Sequence, residues 1–160
     1  MDFSRLVEVL EQYGENVKGS YQGYLDSEGI TASGSLRDSV SVGVDVDGHS
    51  YEVFLNLNKY WKWIEGGRPP TQNSGNGELR RAILEWIRVK PVIPEPFNGK
   101  LPTEEQLAYL ISRKIHREGY EGKHILEKSV NDNEDFLLNV QLALIEAVEK
   151  DMNEIMMLFK

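Results

Sequence analysis

Residues 39–58, "SVSVGVDVDGHSYEVFLNLN", alternate apolar and polar side chains on both sides of a central Asp47-Gly48. Alternation with a period of two marks a half-buried strand, and Asp-Gly between two such runs is a strong hairpin signal. With Asp47-Gly48 as the two-residue turn, Val46 faces His49, Val44 faces Tyr51, Val42 faces Val53 and Val40 faces Leu55. These eight share one face. Ser39, Ser41, Gly43, Asp45, Ser50, Glu52, Phe54 and Asn56 make a mostly polar second face, so one side is expected in the core and the other in water. Asp45 and Asp47 could open a calcium loop, but such a loop needs further oxygen ligands and a distant glutamate, which a β-turn lacks.

Helical patterns flank the hairpin. Phe3, Leu6, Val7, Leu10, Tyr13, Val17, Tyr21 and Tyr24 recur at helical spacing opposite Glu8, Glu11, Glu15 and Lys18. Gly14, Gly19 and Gly23 weaken that helix and invite a bend, and Gly29 ends it. After the hairpin, "KYWKWIEGGRPP" (59–70) runs crowded aromatics into glycine and proline, and "GGRPPTQNSGNG" (66–77) has the composition of a flexible loop. Leu79, Ala82, Ile83, Trp86 and Ile87 define a helix that stops before Pro91, with Arg80, Arg81, Arg88 and Lys90 outward. The proline-rich 91–102 is a connector. Thr103 and Gln106 form a capping box ahead of Leu107, Leu110, Ile111 and Ile115, and Gly119 closes that helix. From Asp132 onward, Leu137, Val140, Leu144, Val148, Ile155 and Leu158 keep helical spacing over a length that a small core does not fully bury, which leaves the end for a partner. The expected fold is therefore α+β: a small antiparallel sheet with a β-hairpin packed by several helices, the first and last of them long. The expected division is an α+β domain over 1–130 and a helical extension over 131–160.

Composition narrows the function classes. The 160 residues are 40% hydrophobic, enough for one sizeable core, and the net charge of −8 does not favour nucleic-acid binding by bulk charge. With no cysteine, disulfides and thiolate metal sites are excluded, which suits a reducing cytosol or a particle assembled there. No apolar run approaches the ~20 residues needed to span a bilayer, and glutamates occupy the N-terminal stretch where a signal peptide is apolar. A start in the cytoplasm and no membrane role are expected.

Few residues offer catalysis. The histidines are His49, His116 and His124, none in a recognised pair. His116 and His124 flank Glu118 and Glu121, yet their spacing fits no i, i+4 ligand pair, and solvated surface histidines are the better reading. Carboxylate pairs for glycoside hydrolysis are conceivable in a chain of this length, with Glu65 in the most suggestive setting. Gly75 and Gly77 lie in an asparagine-rich loop without a preceding strand, which is no phosphate cradle. No catalytic residue, cofactor or metal is expected.

The order of segments is more informative than any one residue. "ASGSLRDSV" (32–40), "YWKWIEGGRPP" (60–70), "LEWIRVK" (84–90) and "ISRKIHREGYEGKHILEKSV" (111–130) follow a long N-terminal helix and bracket the hairpin. In that order they resemble the phage tail-completion or neck proteins of the minor-tail-component type. The pattern of that family is a "TGxLRxS" turn, a hairpin, a "YAxYVExGT" corner, a "WIRRK" helix and a helix ending "RxG" before "xFLxxS". Trp61 stands where the family has a small residue, Arg68 where it has threonine, and Ile125 where it has an aromatic. The resemblance implies a non-enzymatic structural component of a tailed-phage virion, made in the host cytoplasm and assembled as a ring at the head-tail interface. Its partners would be other copies of itself, a portal-side adaptor and tail or tail-tube proteins, with DNA at most passing through the channel. It also implies a fixed corner at Glu65, Gly67 and Pro69, from which a contact loop springs. Tyr60 and Ile64 are expected in the core, and Asp47 and Gly48 in the hairpin turn. Trp61, Trp63, Arg68, Arg80, Arg81, Arg88, Ile155 and Phe159 are expected at subunit or partner contacts. Residues 59–90 carry seven Lys or Arg against three Glu, a surplus of four positive charges between acidic ends, which suits complementary surfaces on neighbouring copies. A phage lytic or processing enzyme using Glu65, and a soluble regulatory protein binding one partner, are the alternatives.

Overall fold

A computed structural model describes residues 3–30, 33–48, 50–71, 77–90, 92–96 and 99–158. The fold is α+β, and the chain forms two compact units. The first comprises Met1–Glu28, Ser39–Asn58 and Ile125–Lys160, and the second Gly29–Asp38 and Lys59–His124.

In the first unit, helix α1 (Ser4–Ser27) runs unbroken for 24 residues and buries Leu6, Leu10, Gly14, Val17, Tyr21 and Leu25. The three glycines do not break it. Gly14 has a positive role, since a Cβ there would meet the side chains of Val42 and Val53. Strands β1 (Ser41–Asp47) and β2 (Ser50–Asn56) pair antiparallel and lie on this helix. Leu6, Leu10 and Ala143 form the centre of the core here, with Phe3, Val9, Val44, Tyr51, Val53 and Val140 packed around them.

The hairpin keeps its expected faces but not its expected register. Val42 pairs with Leu55, Val44 with Val53, Val46 with Tyr51 and Asp47 with Ser50, two residues along from the pairing that an Asp47-Gly48 turn gives. Gly48, at φ 45°, therefore opens the turn as its first residue, and Asp47 remains in the strand. A turn centred on Asp47-Gly48 demands positive φ at both positions, and His124 is the sole non-glycine residue with positive φ among the described residues. A slip of two leaves every side chain on its face. Val42, Val44, Val53 and Leu55 are half-buried rather than fully buried, Val40 is buried, and Val46 is exposed. On the wet face, the Phe54 ring covers the position where Gly43, its cross-strand partner, has no side chain. His49 lies outside the described residues.

Short helix α6 (Ile125–Asn131) buries Ile125 and Ser129 and packs on α1. Ser129 Oγ donates to the Ile125 carbonyl at 2.7 Å, Asn133 Nδ2 donates to Ser20 Oγ at 3.1 Å, and Tyr24 Oη donates to Asp132 at 2.6 Å. The last helix, α7 (Phe136–Leu158), also lies along α1, so residues beyond 130 group with the N-terminal helix instead of standing apart. Its inward residues are Ala143 and Ala147, while Leu137, Leu144, Val148 and Ile155, expected on the core stripe, are exposed. Small side chains let two helix backbones approach closely, and that approach turns the larger residues outward. The side chain of Leu158 and all of Phe159 lie outside the described residues.

In the second unit, one turn α2 (Ser35–Asp38) precedes a short helix α3 (Trp61–Gly66), a two-residue strand β3 (Gly67–Arg68), and helices α4 (Glu78–Val89) and α5 (Glu104–Glu118). Thr103 and Gln106 make the full capping box, and Gly119 caps the C-terminus of α5. Ile83, Ile87 and Ala108 pack α4 on α5, joined by Leu79, Leu84, Leu107, Ile111 and Ile115. Strand β4 (Tyr120–Glu121) pairs antiparallel with β3.

Candidate functional site

The corner and the end of α5 are clasped together backbone to backbone. Gly67 pairs with Glu121 and Arg68 with Tyr120. Gly67 and Gly119 both have left-handed φ, 67° and 68°. A Cβ on Gly67 would strike the Tyr120 carbonyl, one on Gly119 the Arg68 carbonyl, and one on Gly122 the Glu65 carbonyl. Three glycines thus admit a contact that no other residue permits. On either side, the Lys123 N–H donates to the Ile64 carbonyl at 2.7 Å and the Thr71 N–H to the His116 carbonyl at 2.8 Å. Thr71 Oγ1 and His116 Nδ1 share a further hydrogen bond of 2.6 Å. His116 is therefore half-buried and engaged, not a solvated surface histidine. Residues 66–71, expected in a flexible loop, are pinned at Gly67, Arg68 and Thr71, while 72–76 lie outside the described residues.

The single helical turn α3 sorts the aromatics. Trp61, Ile64 and Glu65, at i, i+3 and i+4, share the half-buried side. Tyr60, expected in the core, is 59% exposed because it precedes the helix and falls off that face, and Trp63 is 48% exposed. The half-buried Arg68 places its guanidinium over the exposed Trp63 ring at 5.5 Å, a cation–π contact. Beside the clasp is an open groove of about 560 Å³, lined by Arg68, Pro69, Tyr120, Glu121 and His124. Partial burial raises the Tyr120 phenol above its ordinary value, against the opposing pull of Arg68.

On the basic helix, Arg80 stacks over Tyr109 at 5.6 Å, Arg88 bonds Glu104 at 3.2 Å, and Arg81 is exposed. These arginines are partly used within their own unit. On α7, Ile155 is exposed together with Leu138, Leu142, Ile145, Met152, Met156 and Met157.

No family model, curated protein or solved structure matches the chain. The surface itself must carry the functional reading. It offers a glycine clasp bearing an exposed Trp63 stacked on a half-buried Arg68, and a long helix with its large apolar residues outward. The sequence singled out Trp63, Arg68, Gly67 and Glu65 and read Gly119 as a helix end only, but missed Gly122 and Thr71; the recurrence of glycine in "EGGRPP" and "EGYEG" was the available signal for the glycines.

Proposed function

We propose that this protein is a structural component of a tailed-phage virion, a tail-completion or neck protein that assembles as a ring at the head-tail interface. The observation carrying this reading is the clasp. Two of the segments that resemble the family, the corner and the end of α5, meet at Gly67, Arg68, Tyr120 and Glu121, with Trp63 exposed and the half-buried Arg68 stacked on it. Tryptophan and arginine are the residue types that most often dominate contact energy, and the alanine truncation of such a pair in a buried contact costs ~2 kcal/mol or more. A rigid platform bearing them suits a joint between subunits. The role is one of assembly and not of turnover: copies associate around the channel and engage a portal-side adaptor on one side and the tail on the other, so that packaged DNA is retained. Charged rims add steering and register.

The test is made on particles. Trp63→Ala with Arg68→Ala should leave the purified chain folded by circular dichroism, yet give DNA-filled heads without tails, or heads that leak. Normal yields of infectious particles would sink the reading. A Glu65-dependent hydrolysis of murein by the purified chain would replace it with the enzyme.

A further inference from the structure

The hairpin is a sheet of two strands whose outer edges are both open. Among the described residues β1 and β2 pair only with each other, and no backbone hydrogen bond joins either strand to another element. Asp47 and Ser50 close the hairpin over a two-residue turn, so that pair exchanges both of its hydrogen bonds. Asp45 with Glu52, Gly43 with Phe54 and Ser41 with Asn56 then do the same, and the pairs between them turn their backbone groups the other way. Val42, Val44 and Val46 therefore present a row of N–H and C=O groups along the outer edge of β1, as Tyr51, Val53 and Leu55 do along β2.

We infer that the edge of β1 is a docking site for an extended segment of another protein, one that carries Lys or Arg at alternate positions with apolar residues between them. A free strand edge selects its ligand by backbone, since only an extended chain matches the spacing of its donors and acceptors. Side chains decide which extended chain. Asp45 and Asp47 stand two apart on the water-facing side of β1, both exposed and neither with an ion-pair partner among the described residues. An added antiparallel strand brings its own alternate side chains beside them, where opposite charges favour the pairing and like charges oppose it. On the other side Val46 is 47% exposed although it belongs to the apolar face, and the residue between the two bases lies beside it. The recognised pattern is thus basic, apolar, basic.

Charge favours β1 over β2 and another protein over a second copy. β2 offers a single acid, Glu52, and its Phe54 ring already lies over Gly43 of β1. The free strands of a second copy carry Asp45, Asp47 and Glu52 and no base, so the aspartates that attract a basic strand also guard the edge against self-pairing. Within the chain Arg88-Val89-Lys90 has the pattern but is held at the end of α4. The inference goes beyond the ring reading, whose contacts at Trp63 and Arg68 belong to the other unit, and stands without it.

The test titrates the isotope-labelled full chain with a synthetic peptide of alternating valine and lysine, matched in length to the seven residues of β1 and capped at both ends. Amide shifts and hydrogen exchange are followed residue by residue. Exchange at Val42, Val44 and Val46 should slow, because their N–H groups gain acceptors, while Tyr51, Val53 and Leu55 stay unchanged. The same peptide with glutamate for lysine should bind ~tenfold more weakly or worse, and Asp45→Asn with Asp47→Asn should weaken the lysine peptide ~fivefold or more. Val46→Pro removes one outward N–H without touching the ladder between the strands, and should abolish the slowing at Val42 and Val44. Slow exchange retained at Asp45 and Glu52, whose amides point inward, shows the hairpin intact; if it is lost, the aspartate variant decides. No slowing at millimolar peptide, equal binding of the glutamate peptide, or full affinity in an intact Val46→Pro hairpin would overturn the site. Slowing at Tyr51, Val53 and Leu55 instead would overturn the assignment to β1, and shifts confined to acidic residues elsewhere would reduce the binding to bulk charge and overturn it as well.

Discussion

Gly14 of α1 lies so close to Val42 of β1 that the valine methyl group occupies the space of any side chain placed there. The other two glycines of the helix, Gly19 and Gly23, have nothing within 4 Å of that position. Alanine should therefore act with opposite signs along one helix. Gly14→Ala gains helix propensity of ~1 kcal/mol but overpacks the helix-sheet contact by ~1–3 kcal/mol, and a net loss is expected. Gly19→Ala and Gly23→Ala should each stabilise by ~0.5–1 kcal/mol. Urea unfolding of the three variants checks the pattern, and a stabilised Gly14→Ala would contradict the contact.

Alanine at Gly67 or Gly119 meets left-handed φ and a backbone carbonyl at once, so each should destabilise by more than ~2 kcal/mol. Gly66→Ala is the control, since a Cβ there has open space. The readout is the urea midpoint together with hydrogen exchange at Lys123 and Thr71, whose amides flank the clasp. Equal midpoints for Gly67→Ala and Gly66→Ala would show that the clasp contributes nothing.

The hairpin register can be read by cross-linking, because the chain has no cysteine of its own. Val44→Cys with Val53→Cys places two thiols directly opposite and should oxidise readily to a disulfide. Val42→Cys with Val53→Cys, opposed only if Asp47-Gly48 were the turn, should oxidise far more slowly. The reverse order would restore that turn.

Acid should loosen the start of α5. Glu105 is held below the usual glutamate range chiefly by its own backbone N–H, then by the Thr103 side chain and the nearby Arg88 and Arg80. Its folded-state pKa is lower than its unfolded one, so its contribution is complete above the unfolded value and fades as pH falls through the folded one. Glu105→Gln should flatten stability against pH across and below the glutamate range and leave the neutral-to-alkaline limb unchanged. An unaltered acid limb would remove Glu105 from the account.

Local chemistry made much of this fold legible. The capping box at Thr103 and Gln106, the stripe of α1 and the two faces of the hairpin follow from spacing alone. The register did not, because Gly48 fits two turns that leave the faces identical. The inward side of α7 was hidden for a different reason: hydrophobic spacing selects large residues, whereas close helix contact selects Ala143 and Ala147. The clasp joins strands of only two residues each, too short for any periodicity, so Tyr60 was given the inward place that Trp61 takes.

The pairing of Gly67 with Glu121 also sets an order of events as the chain folds. It closes a loop of ~50 residues for the return of two short strands, and loop-closure entropy must be met before such distant contacts stabilise anything. Helices α4 and α5, neighbours in sequence and sharing Ile83, Ile87 and Ala108, can associate first and shorten the effective loop. The clasp then forms late. Substitutions at its glycines should chiefly speed unfolding, whereas losses at Ile87 or Ala108 should slow folding.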